Sequence, residues 1–269
     1  MAAWEGHVPI SFVLHASEVA RAEQPLPLHL ILPRSSFLFA PETFRALEGQ
    51  FKVFVAQVPN SALWIEYEDK PVPWQYPIGV VHDAMRGLAA PPPWRLTVRF
   101  SNFPDQHVVR FRSDEEVMSF FKNAVKESSF LTFGSTVPLR MMEGSDWKLY
   151  WKAVSNSNFE KFCSFHELQR KTAKSAVKFF PLRIILSNPD GAIHRVIQRK
   201  IEFKSDITIR TCMESILADF LTKDVIFVAH GINLLPDMSL DFLFRHLLHS
   251  DGFLYLHVRS EPVDQKEEH

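Results

Sequence analysis

The sequence predicts an α+β fold in which two similar units flank a helix-rich region. Three observations lead to this prediction. Short stretches near both ends of the 269-residue chain alternate apolar and polar residues, as half-buried strands do. The two ends repeat one order of strands and helices. The middle of the chain instead spaces its apolar residues three and four apart, as amphipathic helices do.

The composition fits several small hydrophobic cores. Hydrophobic residues make up 46% of the chain, and phenylalanine occurs 24 times. Because each phenylalanine buries a large apolar area, even a small core that contains several of them gains much stability. Lys and Arg number 30 against 31 Asp and Glu, which gives a formal net charge of -1. A chain without a global positive field is not expected to bind nucleic acid.

The two cysteines and the absence of apolar runs indicate the compartment. Cys163 and Cys212 do not form a C-x-x-C pair, so no disulfide framework is predicted and a reducing compartment is the simplest interpretation. The N-terminal residues lack the apolar core of a signal peptide. No run of about 18 apolar residues marks a membrane span. We therefore expect a soluble, cytoplasmic protein.

The first unit is predicted to contain two strands, a helix, a strand, a short helix and a last strand. Their predicted positions are residues 10–14, 28–32, 41–47, 63–67, a helix that begins at Pro77, and 94–100. Before that short helix, Pro71 and Pro73 donate no backbone hydrogen bond, so we expect them to break any regular ladder. Trp74 and Tyr76 lie in the same turn. Large rings in a tight turn need a packing partner, which favours a binding surface over a catalytic one.

The second unit repeats this order near the end of the chain. Its predicted elements are strands 180–186 and 192–201, helix 208–221, strand 225–228, helix 240–248 and strand 253–258. The run Asn188-Pro189-Asp190-Gly191 predicts a hairpin turn between the first two strands. Strand, strand, helix, strand, short helix, strand is the order of a ubiquitin-like β-grasp. The sequence thus predicts two ubiquitin-like β-grasp domains of similar topology without visible sequence repetition.

Three aromatic-rich amphipathic helices are predicted between the two units. They span residues 114–131, 145–154 and 158–172, and Ser113 with Glu116 has the pattern of a capping box. Three helices this short are not enough to form an independent domain. We therefore expect them to fill the angle between the β-grasp units. The predicted domains are 1–105, 106–176 and 177–263, followed by a tail at 264–269.

No catalytic motif stands out in the sequence. There is no G-x-S-x-G elbow, no Cys–His family signature and no Gly-rich phosphate loop, and the two cysteines are expected to be packed thiols. His246, His249 and Asp251, with His257 nearby, suggest a metal site. Zinc needs three or four convergent ligands, so a role at a helix end and on the surface is favoured. We expect no metal, no cofactor and no catalytic residue.

Lys126 is distinguished by its position on the first middle helix. The apolar stripe of that helix centres between Val117, Phe121 and Ala124. At 100° per residue Lys126 falls almost opposite this centre, so its ammonium group should project into water. From the residues alone, an ordinary solvated helix face is the favoured interpretation, because surface lysines are common.

A basic segment extends from residue 170 to residue 210. It holds ten Lys and Arg residues against three acidic ones, which gives it a net charge of +7. Arg195 and Arg199 are predicted on one face of the hairpin. The segment is either a patch for acidic membrane lipid or an acidic partner, or a polar sheet face balanced by the acidic tail. The sequence favours neither interpretation over the other.

Several motifs, in order along the chain, carry a resemblance to a known family. They are W-E-G-H-V-P at 4–9, L-P-R-S-S-F-L at 32–38, W-I-E-Y at 64–67, P-W-Q-Y-P-I-G-V at 73–80, P-W-R-L-T-V-R-F at 93–100, F-P-L-R-I at 180–184, H-G-I at 230–232 and D-G-F-L-Y-L-H-V at 251–258. Together they resemble the autophagy protein 5 family over most of the chain. The resemblance implies the same fold: two ubiquitin-like domains around a helical region.

The resemblance also implies a role for Lys126. The family places its acceptor lysine in a helical M-K-E-A motif, and Val125-Lys126-Glu127-Ser128 occupies that place here. Lys126 is therefore expected to accept the C-terminal glycine of the ubiquitin-like autophagy protein 12 in an isopeptide bond. Dedicated activating and conjugating enzymes would carry out the reaction. Some relatives bind autophagy protein 12 without a covalent bond.

A second implied partner is autophagy protein 16, whose N-terminal helix would lie in an apolar groove. Arg34 is expected to pair with an acidic residue of that helix, and His230 and Gly231 to contact it. The assembly would act as an E3-like factor that transfers autophagy protein 8 to phosphatidylethanolamine at the phagophore membrane, where peripheral contact is expected. The alternatives are an unconjugated tandem ubiquitin-like adaptor and a metal hydrolase that uses His246 and His249.

Overall fold

The chain forms two five-stranded sheets with helices between them. A computed structural model describes residues 4–56, 62–87, 90–172, 177–188, 191–204, 206–217 and 225–260. Both sheets have one parallel pair of strands at their centre, and each carries one helix of at least seven residues after its second strand and another before its last strand. The predicted α+β fold with two ubiquitin-like units is confirmed.

The first sheet has the strand order β2-β1-β5-β3-β4. Its strands are β1 (His7–Leu14), β2 (Leu28–Pro33), β3 (Trp64–Tyr67), β4 (Lys70–Pro71) and β5 (Trp94–Arg99), and its helices are α1 (Pro41–Phe51) and α2 (Ile78–Met85). β1 and β5 run parallel, with Ile10 opposite Trp94. Along β5 the side chains of Trp94, Leu96 and Val98 are buried, as the alternation predicts.

The expectation that the prolines exclude a ladder after residue 67 is wrong for Pro71. Strand β4 pairs antiparallel with β3, and Pro71 lies opposite Glu66. The backbone N–H of Val72 then donates to the carbonyl of Ile65 at 2.9 Å. Because β4 is the edge strand of the sheet, no further strand needs the hydrogen-bond donor that Pro71 lacks.

The middle region contains four helices among its described residues, 106–172. They are α3 (Asp114–Phe133), α4 (Val137–Arg140), α5 (Gly144–Ser155) and α6 (Phe159–Thr172), of which α4 was not predicted. The Ser113 hydroxyl accepts a hydrogen bond from the Glu116 backbone N–H, as predicted. The carboxylate of Glu116, however, accepts from the N–H of Arg112, one residue before the cap. Gly134, with a φ of 71°, ends α3 in the left-handed conformation.

The helices share one hydrophobic core with the first sheet. Phe37 and Phe39 follow β2, and their rings stack on Trp151 of α5 at 6.1 Å each. Phe121 of α3 lies edge-on to Trp151 at 5.0 Å. A fully buried Phe side chain stabilises a fold by roughly 1.5–3 kcal/mol. The surplus of phenylalanine therefore holds the helical region against the first unit, as a shared core rather than a separate one.

The second sheet has the strand order β7-β6-β10-β8-β9. Its strands are β6 (Phe179–Ser187), β7 (Ile193–Glu202), β8 (Val225–Ala229), β9 (Ile232–Leu234) and β10 (Leu254–Ser260), and its helices are α7 (Ile209–Ile216) and α8 (Leu240–His246). Strand β9 was not predicted. The prediction of a helix to residue 221 is wrong, because Leu217 leaves the helical conformation with φ -124° and ψ 30°. Residues 218–224 lie outside the described residues, as do Pro189 and Asp190 of the predicted turn.

Both faces of the second sheet are buried along its central strands β6 and β10. Leu254, Leu256 and Val258 point into the core of the second unit. On the opposite face, Ile185 and Tyr255 pack against a cluster that includes residues of α2, in the first unit. A strand that is buried on both faces of its sheet has a nearly continuous run of apolar residues in its sequence. The back face of the second sheet is thus the contact surface between the two units.

Gly191 offers a test of this contact. Its φ is 79°, and a Cβ atom built there would lie 2.1 Å from the carbonyl oxygen of Met85 at the end of α2. We expect Gly191→Ala to lower the free energy of unfolding by about 2 kcal/mol or more, because the strained backbone and the clash add. Urea denaturation followed by circular dichroism measures this change.

Gly49→Ala is the matched control. Gly49 lies inside α1, and nothing approaches a Cβ built there within 4 Å. Alanine favours a helix interior over glycine by about 0.5–1 kcal/mol, so this variant should be slightly more stable. If Gly191→Ala unfolded at the same urea concentration as the wild type, the close approach of the two units at Met85 would be wrong.

Candidate functional site

Lys126 lies on the outer face of α3. Its side chain is exposed, while the preceding Val125 is buried in the shared core. Within the described residues, no hydrogen bond or ion pair holds the amine of Lys126. One turn earlier, Lys122 is half-buried, and its Nζ lies over the ring of Trp147 at 5.6 Å. The exposure of Lys126 agrees with the helical pattern, and it leaves this amine open to a reaction partner.

The residues that follow Lys126 anchor its turn of helix to the second sheet. The carboxylate of Glu127 accepts hydrogen bonds from Arg183 at 3.3 Å and from the amide of Gln198 at 2.7 Å. The hydroxyl of the buried Ser128 donates to the carbonyl of Asp251 at 2.7 Å. The amine is therefore presented by a helical turn that is fixed on one side by the core and on the other by the second unit.

Arg183 is the centre of this anchor. Its side chain is only 13% exposed. It donates to Asp251 Oδ2 at 3.2 Å and to the hydroxyl of Tyr255 at 2.7 Å, and its guanidinium stacks on the ring of Phe253 at 3.6 Å. Tyr255 in turn donates to Asp251. The inclusion of Arg183 in a basic surface segment is thus wrong, because its charge is compensated inside the protein.

Arg34 forms a second buried ion pair, between β2 and α2. One terminal nitrogen of its guanidinium lies 2.5 Å from both carboxylate oxygens of Asp83 and 3.2 Å from the carbonyl of Gly79. Burial acts to raise the pKa of Asp83, but the hydrogen bond from His82 and the charge of Arg34 outweigh it and lower that pKa. Arg34 is 9% exposed. Its charge is already matched within the chain.

His230 and Gly231 of the second unit close over Arg34. A Cβ atom built on Gly231, whose φ is 78°, would lie 3.1 Å from a guanidinium nitrogen of Arg34. The ring of His230 contacts the carbonyl of Leu247 at 3.0 Å through Nε2 and stacks on His249 at 3.9 Å. His249 is fully buried, and neither of its ring nitrogens has a hydrogen-bond partner among the described residues.

The structure therefore brings Arg34, His230 and Gly231 together, at the junction of the two units. Their contact with a partner stays a prediction, and an acidic residue of a partner would have to compete with Asp83 for Arg34. The surface position expected for the histidine cluster holds for the exposed His246. It is wrong for His249 and Asp251, which belong to the buried junction.

An apolar groove of about 200 Å³ lies beside this junction, where the three regions meet. Ring contacts define one wall, since Trp4 lies 4.0 Å from Phe162 and 5.8 Å from Phe159 of α6. The other described lining residues are Ser128, Ser129, Thr132 and Phe133 of α3, Cys163, His166 and Glu167 of α6, and Val177, Phe244, Arg245, His246, Leu248 and Gly252 of the second unit. The groove suits an apolar ligand with some charge at its edge.

The described residues offer little for catalysis. Burial raises the pKa of the Cys212 thiol to about 12, and burial also raises the pKa of Cys163. Because only a thiolate is a strong nucleophile, these shifts disfavour reaction at either thiol. Cys212 is buried and Cys163 is half-buried against the core, as expected for packed thiols. No group of three or more His, Cys, Asp or Glu among the described residues is arranged for a metal ion. None of the described helices has both the length and the apolar character to cross a membrane.

Sequence reasoning missed the residues that compensate the buried charges. Asp83 is the one carboxylate in the apolar run of α2, and this isolation was the available signal for a buried partner. Glu127 was noted only as a neighbour of Lys126. For Tyr255, the apolar run from residue 253 to residue 258 carried a signal of burial on both faces of the strand.

Three models of one family match the chain in order. They are described as "Autophagy protein ATG5, UblA domain" at residues 3–100, "Autophagy protein ATG5, alpha-helical bundle region" at residues 114–168 and "Autophagy protein ATG5, UblB domain" at residues 179–258. Together they match most of the chain, and they coincide with the first sheet, the helical region and the second sheet.

Individual relatives agree with these models. Autophagy protein 5 of Drosophila melanogaster is 26% identical, over 97% of this chain and 96% of its own length. Autophagy protein 5 of Arabidopsis thaliana is 29% identical, over 59% of this chain and 46% of its own length. The crystal structure of Kluyveromyces marxianus Atg5 is 20% identical with a TM-score of 0.78, and it covers 95% of this chain and 96% of that chain. This last likeness shows a common fold.

The buried histidines make the junction sensitive to acid. Burial lowers the pKa of His230 from 6.5 to about 4, and burial also lowers the pKa of His249 well below its usual value. Arg34 faces both rings, Asp83 lies near His230, and Tyr255 packs edge-on to His249. The unfolded chain therefore binds more protons than the folded chain between these pKa values. The contribution of these neutral histidines to the free energy of unfolding is fully present above about pH 6.5. It is lost as the pH falls toward 4, by about 3 kcal/mol for His230 alone.

We expect His249→Phe to reduce this loss. Phenylalanine keeps a flat ring and removes two buried nitrogens that have no described partner. The fall in melting temperature between about pH 7 and about pH 5 should be smaller than in the wild type. His246→Phe, at an exposed position, is the control and should keep the wild-type dependence. An unchanged pH dependence in His249→Phe would contradict the assigned role of this ring.

Proposed function

The chain belongs to the autophagy protein 5 family and acts in autophagy, and we propose that it is a non-catalytic scaffold conjugated through Lys126. The observation that carries this proposal is the exposed amine of Lys126 on an otherwise anchored helical turn. The modifier is the ubiquitin-like autophagy protein 12. Conjugation places this second protein at a fixed position beside the two β-grasp units.

The chemistry requires only an accessible amine from this chain. The Nζ of Lys126 attacks the thioester carbonyl of the modifier's C-terminal glycine on a conjugating enzyme. An amide bond forms, the C–S bond breaks, and the enzyme's cysteine leaves as a thiolate while the amine loses a proton. The enzymes of the pathway supply activation and the leaving group. The contribution of this chain is the placement of the nucleophile.

The anchor of α3 supports this role. Free lysine side chains are flexible, so precision must come from the backbone that carries them. Glu127 and Ser128 bind the second sheet through Arg183 and Asp251, while Val125 is packed in the shared core. The modifier is thus joined to a rigid part of the protein, which suits a complex whose parts must be held in register.

The apolar groove supports the second proposed partner, the N-terminal helix of autophagy protein 16. An amphipathic helix binds a groove by laying apolar side chains into it at every third or fourth residue. Trp4, Phe133, Phe159 and Phe244 supply apolar lining from four parts of the chain. Arg34, His230 and Gly231 are not among the described lining residues, but His230 contacts the carbonyl of Leu247, next to the groove residue Leu248.

The assembled conjugate would act as an E3-like factor. It would promote transfer of autophagy protein 8 to phosphatidylethanolamine during autophagosome formation, at the cytoplasmic face of the phagophore membrane. Membrane contact would be peripheral. Exposed Arg195, Arg199 and Lys200 on the edge strand β7 provide positive charge for acidic lipid.

Replacement of the acceptor tests the conjugation site. We expect Lys126→Arg to abolish the higher-mass conjugate, because arginine keeps the positive charge but is not a nucleophile at physiological pH. The readout is the mass of the protein after incubation with autophagy protein 12 and its activating and conjugating enzymes. Lys148→Arg, at an exposed position on α5, is the control and should conjugate normally. A conjugate of undiminished yield on Lys126→Arg would refute the assignment.

A charge placed in the groove tests the second partner. We expect Cys163→Glu to weaken binding of the autophagy protein 16 N-terminal peptide by about tenfold or more, because a carboxylate would have to be desolvated against apolar rings. Isothermal titration calorimetry measures the dissociation constant. Leu149→Glu changes a residue that is 49% exposed on α5, outside the groove, and should bind like the wild type. Equal affinities for both variants would place the peptide elsewhere.

A further inference from the structure

Strand β7 forms one edge of the second sheet, and its outer side is open. It is the longest of the described strands, with ten residues, and its partner in the sheet is β6. Within the described residues, no other strand pairs with it. The other sheet edges are shorter, since β2 has six residues, β9 has three and β4 has two. An edge as long as β7 offers a row of backbone donors and acceptors to another chain.

The register of β7 indicates which of its backbone groups point outward. Phe203 directly follows the strand, and its N–H donates to the carbonyl of Lys178, just before β6, at 2.9 Å. In an antiparallel pair, residues that bond to the partner strand alternate with residues that do not. Lys200 accordingly lies opposite Pro181, which has no N–H to donate. The residues whose N–H and C=O groups point to the open side are Val196, Gln198, Lys200 and Glu202.

One of these outward groups is occupied by a side chain of the strand itself. The guanidinium of Arg199 donates to the carbonyl of Gln198 at 3.1 Å. Arg199 is exposed, and within the described residues it has no ion pair. A hydrogen bond from an exposed side chain contributes only about 0.5–1.5 kcal/mol, so it is readily exchanged. A carboxylate offers Arg199 a stronger partner, and the carbonyl of Gln198 is then free to accept from another chain.

The side chains along this edge carry mainly positive charge. Arg195 and Lys200 are exposed, and the ammonium of Lys200 lies over the ring of Phe179 at 4.7 Å. The one carboxylate of the strand belongs to Glu202, which pairs with Lys204 at 3.6 Å. Because like charges on neighbouring strands repel, this edge disfavours pairing with a second copy of itself. An acidic chain, in contrast, is attracted to it.

We propose that β7 binds an acidic peptide, which adds to the second sheet as a further strand. Backbone hydrogen bonds to the outward-pointing residues would supply affinity. Arg195 and Arg199 are four residues apart, so they lie on one face of the strand, and carboxylates at alternate positions of the peptide would meet them. On the other face Val196 is half-buried. The side chains between the carboxylates should therefore be apolar.

A membrane surface would use the same positive charges but leave the backbone edge unpaired. Acidic headgroups attract Lys and Arg side chains by charge. A peptide strand satisfies the outward N–H and C=O groups as well, in addition to the charges. The exposed backbone therefore favours a peptide as the ligand of β7, and a bound peptide would compete with the membrane for these side chains.

The test uses the full chain and a blocked peptide as long as β7, in which glutamate and valine alternate. We expect Arg199→Glu to weaken binding of this peptide by about tenfold or more, because it loses a charge-assisted contact and adds repulsion. Lys152→Glu, at an exposed position on α5, changes the net charge equally and should bind like the wild type. Amide hydrogen exchange locates the peptide, since the N–H groups of Gln198 and Lys200 should become protected.

A second peptide separates strand pairing from charge. It has the same sequence, but every backbone nitrogen carries a methyl group, so it keeps all carboxylates and donates no backbone hydrogen bond. We expect it to bind at least tenfold more weakly than the unmodified peptide, at about 1.4 kcal/mol for each factor of ten. Vesicles of phosphatidylcholine with and without phosphatidylserine serve as the lipid probe.

Each outcome decides the proposal. Binding of the unmodified peptide that falls in Arg199→Glu and protects the amides of Gln198 and Lys200 supports it. Equal binding of both peptides, or an equal loss in Lys152→Glu, reflects charge alone and overturns it. Binding of phosphatidylserine vesicles without binding of the peptide assigns the charges to lipid and also overturns it. So does protection confined to other strands, or absence of peptide binding while thermal unfolding shows folded protein.

Discussion

The charge of Arg183 must be compensated away from water, and much of the arrangement of this protein depends on that requirement. Burial of an unpaired guanidinium costs several kcal/mol. Here Asp251 accepts from it at 3.2 Å, Tyr255 at 2.7 Å and Glu127 at 3.3 Å. Glu127 belongs to the helical region, whereas Asp251 and Tyr255 belong to the second unit, as Arg183 does. Asp251 and Tyr255 therefore compensate the charge within the second unit, and Glu127 ties the helical region to it.

A second buried ion pair lies at the other end of the junction. Arg34 and Asp83 both lie in the first unit, and the backbone at Gly231 of the second unit closes over them. Between the two pairs, Val80 and Ala84 of α2 pack on the apolar back of the second sheet. The apolar contact supplies most of the stabilisation, since buried ion pairs contribute little net energy. Each buried ion pair lies within one unit, so the contacts that cross the junction include the apolar packing, the Glu127–Arg183 pair and the approach of Gly231 to Arg34.

The sequence predicted the elements well where the signal was local. Alternation identified β5, helical spacing identified α3, and the position of Lys126 opposite the apolar stripe led to its exposed amine. The pairings at the junction have no local signal, because Arg34 and Asp83 are 49 residues apart and Arg183 and Asp251 are 68 apart. A charged residue in an apolar run shows that a partner is needed, but the sequence does not say which one.

The errors in the predicted elements have the same origin. Pro71 is tolerated in a strand because β4 lies at an edge, which is a property of the sheet rather than of the residue. His249 was assigned to a helix end and the surface because convergent metal ligands were not evident, yet it stacks on His230 from another loop. The groove likewise combines residues from all three regions, so no single stretch of sequence marks it.

The hydrogen bond from Ser128 to the carbonyl of Asp251 has a consequence for the synthesis of the protein on the ribosome. Asp251 is synthesised 123 residues after Ser128. The first sheet and the helices share a core that can close before this residue emerges, and translation adds about 5–20 residues each second. For that interval Lys126 is already exposed, while the backbone carbonyl of Asp251, which accepts from Ser128, has not yet been made. A nascent chain therefore contains Lys126 before it contains the second-unit contact that fixes the helical turn around it. A translation product truncated before Asp251 would permanently lack that contact.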